Sequence, residues 1–164
     1  MTIRNILQFP DPRLRQPATP VSIFDDALRA LSDDLLDTMR AAPGIGITGP
    51  HIGDSRRMTV LELAPGEVRL YVNPEIIWHA DEVKTHDEGS VSMPGVLETI
   101  TRPARVRVSY QDIDGTPATE DADGLLAVCL QHEIDQLDGI FWIDRLSRLK
   151  RDRLVKKWEK QRKR

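Results

Sequence analysis

The feature that most constrains this chain is that its hydrophobic period changes twice along its length. After Ser22, the residues Phe24, Ala27, Leu28, Leu31, Leu35, Leu36 and Met39 recur every three or four positions, which predicts a helix over Ile23 to Arg40 with one buried face. Pro43-Gly44-Ile45-Gly46 ends that helix and opens a glycine-containing loop. Beyond it the period falls to two. Met58 to Leu63 and Val68 to Val72, across the turn-forming Pro65-Gly66, predict a hairpin. Val96 to Thr101 and Ala104 to Tyr110 are further strand candidates, and Asp112 to Gly115 is a turn before Thr116 to Thr119. The helical period then returns. Gly124 introduces an apolar-rich helix over Leu125 to Leu137, closed by Gly139, and Ile140 to Leu146 leads to a basic helix from about Ser147. The N-terminal segment, with Phe9-Pro10-Asp11-Pro12 and Pro17 to Pro20, is expected to be irregular. Helix, several antiparallel strands, then helix is an α+β order rather than alternating βαβ. No linker or repeat divides it, so one domain over 1–164 is expected, with 147–164 as its basic C-terminal helix.

Charge narrows the function classes. The formal charge of −3 conceals +9 between Arg145 and Arg164 and −12 over the rest. A basic arm on an acidic body suits a polyanion such as nucleic acid, and equally a solvated helix end that favours cations at its C-terminus. The longest apolar run, Leu125 to Leu130, has six residues, against the roughly 20 needed to span a bilayer. No membrane association and no secretory leader are expected. The single cysteine, Cys129, has no internal partner for a disulfide, so a reducing cytoplasm is the natural setting.

The chemistry-bearing segment is Gln131-His132-Glu133-Ile134-Asp135-Gln136, on the second helix. His-Glu on a helix is half of the HExxH zinc signature, in which two imidazoles four residues apart pinch a metal and the glutamate acts as base. Position 136 is Gln, so the pinch is incomplete. Taken alone, the pair is more often an ordinary His and Glu on a half-buried helix.

Its surroundings change that weighting. Phe9-Pro10-Asp11-Pro12-Arg13-Leu14, Gly44-Ile45-Gly46-Ile47, Asp87 to Ser92, Arg102 to Val106, Gly124 to Ala127 and Gln131-His132-Glu133, in that order, resemble the peptide deformylases. These metal-dependent hydrolases remove the formyl group from the N-terminal methionine of nascent bacterial and organellar proteins. The resemblance implies their fold, with antiparallel strands packed around a central helix that carries the HE pair.

The family's three motifs, GxGxAAxQ, EGCxS and QHExDH, are each altered here. In the first, Gly44 and Gly46 stand, but Thr48 and Gly49 replace the small pair and His51 replaces the closing glutamine. In the second, Glu88, Gly89 and Ser92 stand, but the metal-binding cysteine is Ser90. In the third, His132, Glu133 and Asp135 stand, but the second metal-binding histidine is Gln136. The resemblance implies His132 as the remaining ligand of an Fe or Zn ion and Glu133 as the general acid/base. It puts the His51 side chain and the Val91 backbone N–H in the oxyanion-stabilising places, Gly44, Ile45, Gly46 and Gly89 along the peptide groove, and Glu88 and Arg102 as an ion pair behind the site. It also places Cys129 on the core side of its helix. His79 and His86 read as surface residues.

Three functional readings follow. The first is a catalytically silent or strongly impaired family member, with no metal or a weakly bound one, whose Gly44-Ile45-Gly46 segment and Gly89 to Ser92 strand still pair with an N-terminal peptide. The second is an active deformylase with a rebuilt metal set drawn from His132, His51, Glu133 and His86. The third is a metal-free hydrolase in which His132 activates Ser90. By the same resemblance, the partners are nascent N-terminal peptides, with a ribosome contact through the basic helix.

Overall fold

The computed structural model describes residues 2–163. The N-terminal segment runs irregularly, apart from a 3-10 turn at Pro12–Arg15, to helix α1 (Asp26–Ala41). Strands β1 (Gly46–Thr48), β2 (Met58–Glu62), β3 (Val68–His79), β4 (Val83–Glu88), β5 (Glu98–Pro103), β6 (Arg105–Gln111) and β7 (Pro117–Asp123) follow, then helices α2 (Gly124–Leu137) and α3 (Arg148–Arg162). The fold is α+β. Five strands form one antiparallel sheet in the order β1-β2-β3-β6-β7, and β4 and β5 pair separately. No helix among the described residues is long and apolar enough to cross a membrane.

The helix α1 begins three residues later than its hydrophobic spacing predicts, because its cap is Asp25 rather than Ser22: the Asp25 carboxylate accepts from Leu28 N–H at 3.1 Å. Phe24, left outside the helix, still packs on the same cluster as Leu28, Leu31, Leu35 and Met39, which meet Ile47, Val60 and Val72 of the sheet. On the other side of the sheet, Leu61, Tyr71, Val106 and Val108 pack against Ala127, Cys129, Leu130 and Ile134 of α2. This helix is therefore buried along most of its length. It ends at Gly139 (φ 81°), where an added Cβ would lie 2.8 Å from the Arg15 carbonyl oxygen.

A third cluster joins α3 to the rest. Leu154 and Trp158 bury against Phe9, Met93, Phe141 and Trp142, and Trp158 Nε1 donates to the Phe9 carbonyl at 3.2 Å. Ser147 caps α3, accepting from Lys150 N–H.

Two strands were not anticipated, β1 and β4, and β3 and β7 run longer than predicted. The Gly89 to Ser92 segment is not a strand. It turns, with Met93 N–H bonded to Ser90 O and Ser92 N–H to Ser90 Oγ, and so offers no strand edge, whereas β1 is an edge strand of its sheet.

Candidate functional site

A pocket of about 710 Å³ opens between β1, the residues around 89–97 and the exposed side of α2. Gly44, Ile45, Gly46, His51, Glu88, Gly89, Ser90, Val91, His132 and Glu133 all line it. Gln136 and Arg102 do not.

The close approach of β1 to α2 depends on glycine. A Cβ on Gly46 would sit 2.9 Å from Glu133 Oε1 and 2.9 Å from Leu61 Cδ2, so a larger residue would push the Glu133 carboxyl off the strand.

Behind the pocket lies a chain of charges that sequence reasoning found only in part. Arg102 forks onto Glu88 through Nε (2.6 Å) and Nη2 (2.9 Å), and its Nη1 donates to Asp135 Oδ2 at 2.9 Å. Arg145 donates to both Asp135 oxygens, at 2.9 and 2.7 Å. Asp135 was read only as a retained motif residue, without its cations, and Arg145 was missed. A signal existed, because an acid on an otherwise apolar, buried helix requires a cation. The opposite end of this chain is His132, whose Nδ1 donates to Glu88 Oε1 at 2.9 Å. Burial alone would raise the Glu88 carboxyl, but the His132 and Arg102 hydrogen bonds outweigh it and hold it down to about 2. His132 is buried too, which lowers its affinity for a proton, yet the Glu88 hydrogen bond and the Glu133 charge leave it raised.

On the pocket floor the polar groups are less well served. The His132 Nε2 lies 3.9 Å from Glu133 Oε1. Glu133 Oε2 is buried without a hydrogen-bond partner, and so is His51 Nε2. Burial pushes Glu133 up to about 7 against the pull of His132. His51 is held by its own turn: Thr48 N–H donates to its Nδ1 at 3.0 Å, and Thr48 Oγ1 is 2.9 Å away. A lone pair on Nδ1 places the ring proton on Nε2. Burial and the nearby His132 charge lower this imidazole to about 3, so the neutral tautomer is the one present.

Ser90 and Gln136, which the sequence resemblance puts at ligand positions, are both turned to backbone. Ser90 Oγ accepts from Ser92 N–H at 3.0 Å. The Gln136 amide donates to the Leu14 carbonyl at 2.6 Å. Among the described residues, no three His, Cys, Asp or Glu side chains group as a cage for a metal ion. Cys129 belongs to the core cluster and also reaches the pocket wall, its thiol pushed up by burial to about 12. His86 is exposed on β4 at the pocket rim, and His79 is exposed at the end of β3.

Comparison with known proteins accords with this architecture. A family model described as polypeptide deformylase matches residues 3–152. Two proteins of Brucella suis biovar 1 are related at different distances. One, named peptide deformylase-like, is 64% identical over 98% of both chains. The other, named peptide deformylase, is 45% identical over 98% of this chain and 94% of its own. The crystal structure of a peptide deformylase from Legionella pneumophila superposes with a TM-score of 0.93 at 41% identity, covering 99% of this chain and 96% of that one. With a sheet, three helices and a pocket arranged in this way, the chain belongs to the polypeptide deformylase family.

Proposed function

We propose that this chain is a peptide deformylase-like protein whose deformylase activity is lost or strongly impaired, and whose pocket serves to bind N-terminal peptides. The observation that carries the reading is Gln136, whose amide is committed to the Leu14 carbonyl. A residue in that hydrogen bond offers at best a weak carbonyl donor to a cation. Ser90 adds a neutral hydroxyl where a thiolate would supply charge, and Fe²⁺ or Zn²⁺ favours anionic sulfur and imidazole nitrogen over both. One imidazole, one alcohol and one carboxamide do not fit a tightly held divalent ion.

The size of the loss explains why activity should fail with the ion. A bound metal lowers the pKa of water from about 15.7 to about 7, at ~1.36 kcal/mol per unit an upper bound of roughly 12 kcal/mol in making the nucleophile. General-base help from Glu133 is typically worth about 10² to 10⁴-fold, which does not replace it.

The competing readings have weaker support. A rebuilt centre needs His51 to turn toward a metal, but its Nδ1 accepts from Thr48 N–H, and among the described residues no three such side chains group as a metal cage. A Ser90–His132 pair needs a hydrogen bond between them; Ser90 Oγ instead accepts from Ser92, and His132 Nδ1 is engaged by Glu88.

For peptide binding the support is β1, the edge strand of its sheet, with Ile45 and Gly46 facing the pocket. The basic helix α3 extends the proposal to a contact with ribosomal RNA in the cytoplasm. Its exposed Arg153, Lys156, Lys157 and Lys160 are free to meet phosphates. The experiment is hydrolysis of a formyl-methionyl peptide by the wild type and by the triple variant Ser90→Cys, Gln136→His, His51→Gln. No turnover by the first and recovery by the second is expected. Turnover by the wild type overturns the proposal.

A further inference from the structure

The main sheet is covered on one face and half bare on the other. Toward α2, strands β3, β6 and β7 turn Tyr71, Val106, Val108 and Ala122 into the core. On the opposite face α1 packs on Ile47, Val60 and Val72 of β1 to β3. The side chains that β6 and β7 send to that side, Arg105, Arg107, Thr119, Asp121 and Asp123, are exposed. Beside them stands Trp78, 43% exposed, where Trp142 and Trp158 are 1% and 3% exposed. The Arg105 and Arg107 guanidiniums lie 5.7 and 5.8 Å from its ring centroid, and tryptophan and arginine are enriched among the residues that anchor protein interfaces. In register, Arg105 stands opposite Asp123 and Arg107 opposite Asp121, so a column of cations runs beside a column of anions. Arg107 Nε already donates to Asp121 at 2.7 Å. Arg105 and Asp123 make no such pair among the described residues, and Asp123, although it stands at the N-cap of α2, accepts no capping hydrogen bond. Strand β7 is also an edge of the sheet, but Glu120, Asp121 and Asp123 along it oppose edge-to-edge pairing of two copies.

We infer that the bare face of β6 and β7, with Trp78 at its side, docks a second copy of this chain about a two-fold axis running along the strands between β6 and β7. That rotation lays β6 of one copy over β7 of the other at the same level. Arg105 then meets Asp123 of the second copy and Arg107 meets its Asp121, each contact occurring twice, as an isologous interface requires. Trp78, on the far side of β6 from β7, falls past the β7 edge of the second copy and covers it. A cation column beside an anion column is complementary to itself under this operation, which selects a second copy over a partner of one charge sign. None of these residues lines the pocket, so the dimer leaves it open. The face offers fewer side chains than the roughly 20–30 a side of a standard stable interface, so the association is weak, with a dissociation constant on the order of 10 μM.

Sedimentation equilibrium of the full chain from about 1 to about 500 μM tests this, with a monomer expected at the low end and a dimer at the high end. Arg105→Asp alone, or Asp123→Arg alone, sets like charges against each other and should weaken self-association by about tenfold or more. Mixed in equal amounts, the two variants should associate with each other at least as well as the wild type does, because every cross-copy contact again joins opposite charges. Acrylamide quenching of tryptophan fluorescence needs no variant: Trp78 is the exposed indole, so quenching should fall as the wild type is concentrated. A wild type that stays monomeric over the whole range overturns the inference. So does a dimer indifferent to both reversals, a mixture that fails to associate, or quenching that does not change as the dimer forms.

Discussion

The layer behind the pocket and the floor of the pocket treat buried polar groups in opposite ways. Behind, both oxygens of Glu88 and of Asp135 are engaged, by Arg102, Arg145 and His132. On the floor, Glu133 Oε2 and His51 Nε2 are left without partners. Removing one member of a buried ion network strands the others, so such a layer resists change whatever the pocket does. Ser90 and Gln136 are satisfied without an ion, because each has a backbone partner: Ser92 N–H for Ser90 and the Leu14 carbonyl for Gln136.

The largest effect should come from the layer behind. Arg102→Met leaves Glu88 and Asp135 facing each other in the interior, and breaking a buried pair costs about 3–5 kcal/mol. Chemical denaturation of the variant checks this, and a loss under about 1 kcal/mol, the value of an exposed pair, would erase the contrast.

The floor should respond in the other direction. A carboxyl raised to about 7 in the fold, from an ordinary value of 4.5, holds its proton more tightly folded than unfolded. Its effect is therefore to make stability fall as pH rises from about 4.5 to about 7. Glu88, held down to about 2, contributes stability above about 4.5 that is lost as pH falls toward 2. Glu133→Gln should remove the first slope and keep the second, with a gain on the order of 2–3 kcal/mol at pH 8. Melting across pH 3 to 8 reads both limbs. A Glu133→Gln variant less stable than wild type at pH 8 would mean that the carboxylate has a partner after all.

Smaller effects separate the two substituted positions. Gln136→Ala orphans the Leu14 carbonyl and should cost about 1–3 kcal/mol by denaturation. Ser90→Ala loses one local turn hydrogen bond and should cost about 1 kcal/mol or less. It should also leave peptide binding unaltered. A fall in any metal-free hydrolysis on this change would instead support the Ser90–His132 pair.

Which of these features the sequence displayed depended on how local their causes were. The helix α2 and the start of α3 could be read because the apolar run from Leu125, Gly139 and Ser147 act within a few residues of themselves. The start of α1 was misplaced because Ser22 and Asp25 both suit a cap, and only the Asp25–Leu28 hydrogen bond distinguishes them. Strand β4 escaped because Val83 to Asp87 are all exposed, so neither face shows alternation. Strand β1 is three residues long and begins with glycine. In the site, the motif pattern located His132, Glu133, Ser90 and Gln136, but the partners that give them meaning lie far away in sequence. The Gln136 amide meets a carbonyl 122 positions distant, and Arg102 meets Asp135 across 33. No periodicity carries such information.

The central claim is that these side chains do not retain a divalent cation. Elemental analysis of the full chain, after dialysis against Fe²⁺ or Zn²⁺ and removal of unbound metal, tests it most directly. The account predicts far less than one ion per chain, with stoichiometric loading in the Ser90→Cys, Gln136→His, His51→Gln variant. One tightly bound ion per wild-type chain, released by His132→Ala, would contradict it.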